Sequence, residues 1–195
     1  GDHGFDPKRA VTEAIKLITL YKVEGVFANF TPTARAVAPI AYSHEILFVY
    51  TAAALSPAAS NPQAFKSYLD YVSGCEAVAR YWQARGLRQI GILKPEAEYG
   101  DLCADGLKRA YPDTTERSYR IGEELGTQVA FMKAHGITAL MNASYERDLL
   151  NLLHELSRLD YAPALGLEAS ALTAAPGAAE LRHLSRAVTF GMPDL

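Results

Sequence analysis

Gln89-Ile90-Gly91-Ile92-Leu93 is an almost wholly apolar run, of a length that suits a strand better than a helix. A helical pattern precedes it from Gly74 to Arg85 and ends at Gly86, a residue suited to a helix C-terminus. A second helical pattern follows over about residues 100–111, and then a strand is expected at about 114–120. A strand joined through a helix to another strand is a βαβ unit, which requires a parallel sheet.

The same alternation extends both ways. Towards the N-terminus, Asp6-Pro7 reads as N-cap and first helical residue. Val11, Ala14, Ile15 and Ile18 continue at helical spacing to about Lys22. Val23 to Ala28 predicts a strand, Asn29 to Thr33 a polar turn, and residues 33–43 a helix. Ile46-Leu47-Phe48-Val49-Tyr50 is a continuous apolar run, expected of a strand buried on both faces. Residues 51–64 read as a loop with Pro57 and Pro62, and residues 65–72 as extended. Towards the C-terminus, a helix over about 126–135 stops at Gly136, and Ile137 to Met141 is a strand. A long helix spans about 145–159 with Leu149, Leu152, Leu153 and Leu156 on one face. A short strand at 164–167 ends at Glu168, and a small helix leads to a last strand at about 186–191. The expected class is α/β, with parallel doubly wound sheets. In such sheets ligands bind beyond the carboxyl ends of the strands. That rule selects Asn29–Thr33, Thr51–Ser56, Lys94–Gly100, Asn142–Tyr145 and Glu168–Ser170.

The chain has 195 residues, 49% apolar and 21% charged, with a net charge of −3. This composition permits a normal core, and the absence of any Lys or Arg run argues against a nucleic-acid partner. No stretch is apolar and long enough to span a bilayer, and no signal peptide is visible. The opening Gly1-Asp2-His3-Gly4 lacks Met and reads as a processed or trimmed end. Cys75 and Cys103 sit in no CxxC motif. They fit either one disulfide or two buried free thiols, and the thiols are the reading adopted. No GxSxG, Walker loop, HExxH or GxGxxG occurs. His3, His44, His135, His154 and His183 are scattered, and Glu96 and Glu98 read as a solvated loop. Neither an enzyme nor a cofactor is expected.

The segments at the strand ends resemble the branched-chain amino acid (Leu/Ile/Val) receptor family of type I periplasmic solute-binding proteins. The resemblance runs through Asp6-Pro7, Ala14, Leu17-Ile18 and Gly25-Val26 to Thr31-Pro32-Thr33-Ala34-Arg35-Ala36-Val37-Ala38-Pro39. It continues in Glu45 to Val49 with Ala52-Ala53-Ala54 and Asn61-Pro62. Its most specific part is Ile90-Gly91-Ile92-Leu93, Tyr99-Gly100 and Gly106-Leu107-Lys108, and Gly136-Ile137, Tyr145-Glu146 and Gly166 to Glu168 keep the register. The resemblance implies a two-lobed type I fold with residues 1–72 as part of a first lobe and 73–195 as the second. It also implies two strands and a helix before this chain's first helix, so the first lobe is expected to be incomplete and Val26, Phe27, Leu47 and Val49 to lie exposed or under a partner.

The implied function is a bacterial periplasmic or extracellular receptor that captures an amino acid or related small carboxylate for an ABC transporter permease. The alternative is a ligand-sensing domain of a signalling protein. The implied ligand-binding residues are Thr31, Ala52, Ala54, Tyr99, Tyr145 and Glu168. Glu168 would receive an ammonium group, since an unpaired buried charge is costly. Thr31 and the nearby helix start would hold a carboxylate, and Thr31 also fits a plain helix cap. Tyr99 and Tyr145 would form an apolar wall, with Ser144 as an alternative to Tyr145. Ala54 stands where the family uses a threonine hydroxyl, which leaves room for a different acid.

Overall fold

The computed structural model describes residues 6–59, 61–144, 146–173 and 182–191. The chain divides into two compact units, Gly1–Asp70 and Tyr71–Leu195.

In the first unit the order is α1 (Pro7–Thr19), β1 (Gly25–Asn29), α2 (Thr31–Ser43), β2 (Leu47–Thr51) and β3 (Ala64–Lys66). Asp6 caps α1 by accepting a hydrogen bond from Lys8 N, and Pro7 starts the helix. The three strands form a parallel sheet in the order β1-β2-β3. Val26, Ala28, Phe48 and Tyr50 point to one face and pack with Ala10, Ala14 and Ile18 of α1 and Ala34, Val37 and Ala41 of α2.

The opposite face of this sheet is bare among the described residues. Phe27, Val49 and Phe65 lie in register across the three strands. Phe27 is 59% exposed, Phe65 56% and Leu47 47%, while Val49 is half-buried. Parallel sheets are normally covered on both faces, and covering these side chains would stabilise by roughly 1.5–3 kcal/mol each. Two expectations need correction. The β2 run is buried on one face, not both, because α1 and α2 cover only the face bearing Phe48 and Tyr50. Val26 is buried because the two-residue alternation puts it beside Phe48 on the helix side.

The second unit contains α3 (Tyr71–Ala84), β4 (Ile90–Pro95), α4 (Glu98–Ala110), β5 (Thr115–Tyr119), α5 (Gly126–Ala134), β6 (Ala139–Asn142), α6 (Glu146–Arg158), β7 (Ala164–Glu168) and β8 (Val188–Phe190). Its parallel sheet has the order β5-β4-β6-β7-β8. Leu93, Leu140, Leu165 and Leu167 face a core shared with Val129 and Met132 of α5 and the four leucines of α6. The other face meets α3 and α4, where Trp82 lies against Gly166 and Met141. The extended reading of 65–72 gives way to β3 followed by α3, whose first turn begins at Tyr71 rather than Gly74. Burial of Tyr71 and Val72 under tertiary contacts outweighs their modest local helix preference.

The free-thiol reading is also corrected, since Cys75 of α3 and Cys103 of α4 form a disulfide. Gly106 brings α4 onto the α3 backbone at Val72. At that approach the two cysteine Cα atoms stand 5.3 Å apart, within bonding range.

Candidate functional site

In the first unit the carboxyl ends of β1 and β2 carry the candidate groups. Phe30 leaves β1 with φ 64°, a left-handed conformation that is costly without glycine. Its amide donates to Thr51 O at 2.7 Å, which holds the turn. Phe30, not Thr31, is the N-cap of α2, and its side chain makes no cap hydrogen bond. The capping role suggested for Thr31 is therefore not observed. Thr31 is the first helical residue, and its buried hydroxyl oxygen accepts from Ala54 N at 3.3 Å. That bond brings two of the sequence-selected residues together and leaves the Thr31 proton to donate elsewhere. Ala52 and Ala54 are both buried. Lys66 Nζ donates to Ala53 O at 3.1 Å and to Leu69 O at 2.9 Å, which ties this loop to the segment after β3. Burial pushes the Lys66 pKa down. Sequence reasoning missed both Phe30 and Lys66: positive φ in a phenylalanine has no composition signal, and the Lys66 contacts are tertiary.

In the second unit Glu168 ends β7 and is only 1% exposed. Its carboxylate accepts from Ser170 N at 3.0 Å and from the Ser170 hydroxyl. Its register partner on β8 is Phe190, which meets Tyr71 edge to face at 5.1 Å. Tyr71 in turn meets Tyr99 of the first turn of α4 at 6.2 Å. Tyr99 thus belongs to an aromatic row that continues to Phe190, two members of which were not foreseen. Tyr145 lies outside the described residues. Ser144, its alternative, is buried and donates to Asn142 Oδ1.

Behind Asn142 lies a buried polar network. Asn142 Nδ2 donates to Leu93 O at 3.2 Å and to Tyr119 Oη at 3.3 Å. Asp148, in the first turn of α6, accepts from Gly122 N at 2.9 Å. Burial raises the Asp148 pKa, opposed by the Gly122 hydrogen bond and by Arg147, and burial also raises that of Tyr119. A raised carboxyl pKa means that folding favours the protonated acid. This contribution is present below the unfolded value near 3.8 and is lost as pH rises through the folded value. Asp148→Asn should therefore melt at or above the parent temperature at neutral pH, and the difference should shrink towards about pH 4. Paired thermal melts across that range test this, and a difference that widens in acid would contradict it.

Among the described residues no group of three or more His, Cys, Asp or Glu side chains is placed to hold a metal ion. Glu96 is exposed and lies 3.9 Å from Arg120, while Glu98, read from the sequence as part of a solvated loop, is half-buried in the first turn of α4.

A family model described as periplasmic binding protein matches residues 1–190. Several solved structures share the fold. A leucine-binding protein from Thermotoga maritima has a TM-score of 0.78 at 13% identity, covering 87% of this chain and 51% of its own. An ABC-transporter solute-binding protein from Rhodopseudomonas palustris BisB5, in complex with 3,4-dihydroxybenzoic acid, has a TM-score of 0.80 at 14% identity, covering 92% and 53%. A type 1 periplasmic binding protein from Bordetella pertussis Tohama I has a TM-score of 0.74 at 21% identity, covering 88% and 50%. The chain spans about half the length of these structures. No curated protein sequence matches it.

Proposed function

The chain belongs to the periplasmic binding protein family, and on that premise we propose that the protein is an extracytoplasmic receptor that captures an amino acid or related small carboxylate for delivery to an ABC transporter permease. The observation that carries the reading is Glu168, a carboxylate enclosed at a strand end beside an aromatic row. An enclosed carboxylate of this kind suits a ligand ammonium. The N-terminus of α2 and the Thr31 hydroxyl suit the ligand carboxylate. Tyr99 and Tyr145 suit the ligand's apolar part, and Ala52 and Ala54 contribute backbone. Because the amide of Ala54 is engaged by Thr31 and its side chain has no hydroxyl, the proposed ligand class includes acids other than the branched-chain amino acids. The Cys75–Cys103 disulfide supports the extracytoplasmic location, since such bonds persist in oxidising compartments.

Thermal-shift screening of the intact protein against amino acids, aromatic acids and keto acids identifies the ligand class, because a ligand specific for the folded state raises the melting temperature. If an amino acid is the ligand, calorimetric titration of Glu168→Gln should show affinity reduced by about 30-fold or more. Equal affinity for parent and variant would remove Glu168 as the ammonium partner and favour a ligand without an amino group.

A further inference from the structure

We propose that Lys66 is a positioning residue for the strand-end site of the first unit. Its ammonium heads a chain of hydrogen bonds that runs through the Ala53–Ala54 peptide to the Thr31 hydroxyl, and it makes that hydroxyl a donor for an anionic ligand group. The proposal rests on the receptor reading above and deepens it, since it assigns the negative end of the ligand to Thr31 and the supporting charge to Lys66.

Lys66 ends β3, and its register with Tyr50 puts it on the helix-covered face of the sheet, while Phe65 takes the bare face. From there Nζ donates to Ala53 O at 3.1 Å. Ala53 O and Ala54 N belong to one trans peptide group, whose carbonyl and N–H point opposite ways. The Ala54 N–H donates from the far side of that group to Thr31 Oγ1 at 3.3 Å. Because Thr31 Oγ1 accepts here, its own proton is directed onward. Every bond therefore runs in one sense, from ammonium to carbonyl and from amide to hydroxyl, and each polarises the next. Only one peptide group separates the ends, so Nζ and Thr31 Oγ1 stand within about 9 Å of each other. A positive charge at the head strengthens the donor at the tail, and a strengthened donor favours a carboxylate over a neutral acceptor. The charge is not cancelled at its source. The hydrogen-bond partners of Nζ, Ala53 O and Leu69 O at 2.9 Å, are neutral carbonyls. Asp70 is the charged group that acts on Lys66, and the neighbouring Tyr50 donates its hydroxyl to Leu55 O. Burial outweighs Asp70 and lowers the Lys66 pKa.

The test uses the full chain and three probes, L-leucine, benzoate and pyruvate, one from each class in the screen above. In calorimetric titrations at neutral pH, a probe that binds the parent should bind Lys66→Met about tenfold or more weakly. Between about pH 7 and pH 10 that gap should narrow, because the parent loses a charge that the variant already lacks, and the lowered pKa brings the loss below the ordinary lysine range. In the ligand-free protein the NMR signal of the Ala54 amide should move with the same titration in the parent and show no such titration in Lys66→Met. Lys66→Gln, carried through the same measurements, replaces the methionine variant if that variant does not fold. The proposal is overturned by equal affinities, by an Ala54 amide that does not follow Lys66, or by a gap that stays constant with pH, which would mark packing of the lysine stem. A titrating amide in a parent that binds none of the three probes overturns the receptor reading, and with it the ligand role of Lys66, while the hydrogen-bond chain itself stands.

Discussion

Replacing Cys75 and Cys103 together by alanine is expected to lower the melting temperature of the second unit by roughly 10–15 °C. The two cysteines are 28 residues apart in sequence and both are fully buried. Closing a loop of that length restricts the unfolded chain enough to stabilise the fold by about 3–4 kcal/mol on the chain-entropy model. For a unit of this size each kcal/mol moves the melting temperature by about 4 °C. The bond also joins α3 to α4, which form the layer on one side of the five-stranded sheet, so its loss loosens that layer. Calorimetry of the parent and of the double alanine variant, each with and without reductant, measures the effect. Reductant should lower the parent's melting temperature towards that of the variant and leave the variant unchanged. Equal melting temperatures for oxidised parent and variant would show that the cross-link contributes nothing to stability.

The other large effect is expected from Gly106→Ala, which should destabilise the second unit by about 2 kcal/mol or more. In most helices this change helps, because alanine is the better helix former by about 1 kcal/mol. Here a Cβ would stand 2.1 Å from Val72 O, 2.9 Å from Val72 C and 3.1 Å from Glu76 N. All three are backbone atoms of α3, and no rotamer change relieves the clash. The helices must part, at an overpacking cost at or above the usual range of about 1–3 kcal/mol. Parting them also strains the disulfide joining the same helices. Urea unfolding measures the change. A more stable variant would mean that the close approach of α4 to α3 is not maintained in solution. Gly86→Ala, at φ 79° with open space around its Cβ position, serves as a control for backbone strain without a clash.

Much of the fold was legible because it rests on local pattern. The alternation of short apolar runs with amphipathic stretches needs no knowledge of distant residues, and βαβ connectivity makes the sheets parallel once that alternation is read. The same reasoning selected the strand ends, and Thr31 with Ala54 is a pair that the structure joins by a hydrogen bond. Helix starts were less legible. The α3 and α2 helices begin three and two residues before the pattern suggests, because Tyr71, Val72 and Thr31 are recruited by tertiary packing.

By itself the sequence determined the order and type of most elements, the parallel sense of the sheets and, to within about two residues, the positions where strands end, since each depends on periodicity within about a dozen residues. Only the tertiary structure decided which face of the first sheet is covered, since Phe27 and Val26 are both apolar and only the position of α1 and α2 separates them. It decided the redox state of Cys75 and Cys103, because bonding depends on a 5.3 Å Cα separation across two helices. It also decided the strained backbone of Phe30 and the contacts that bury Asn61. These are properties of close packing, in which residues remote in sequence set the geometry and solvation of one another, and no local pattern records them.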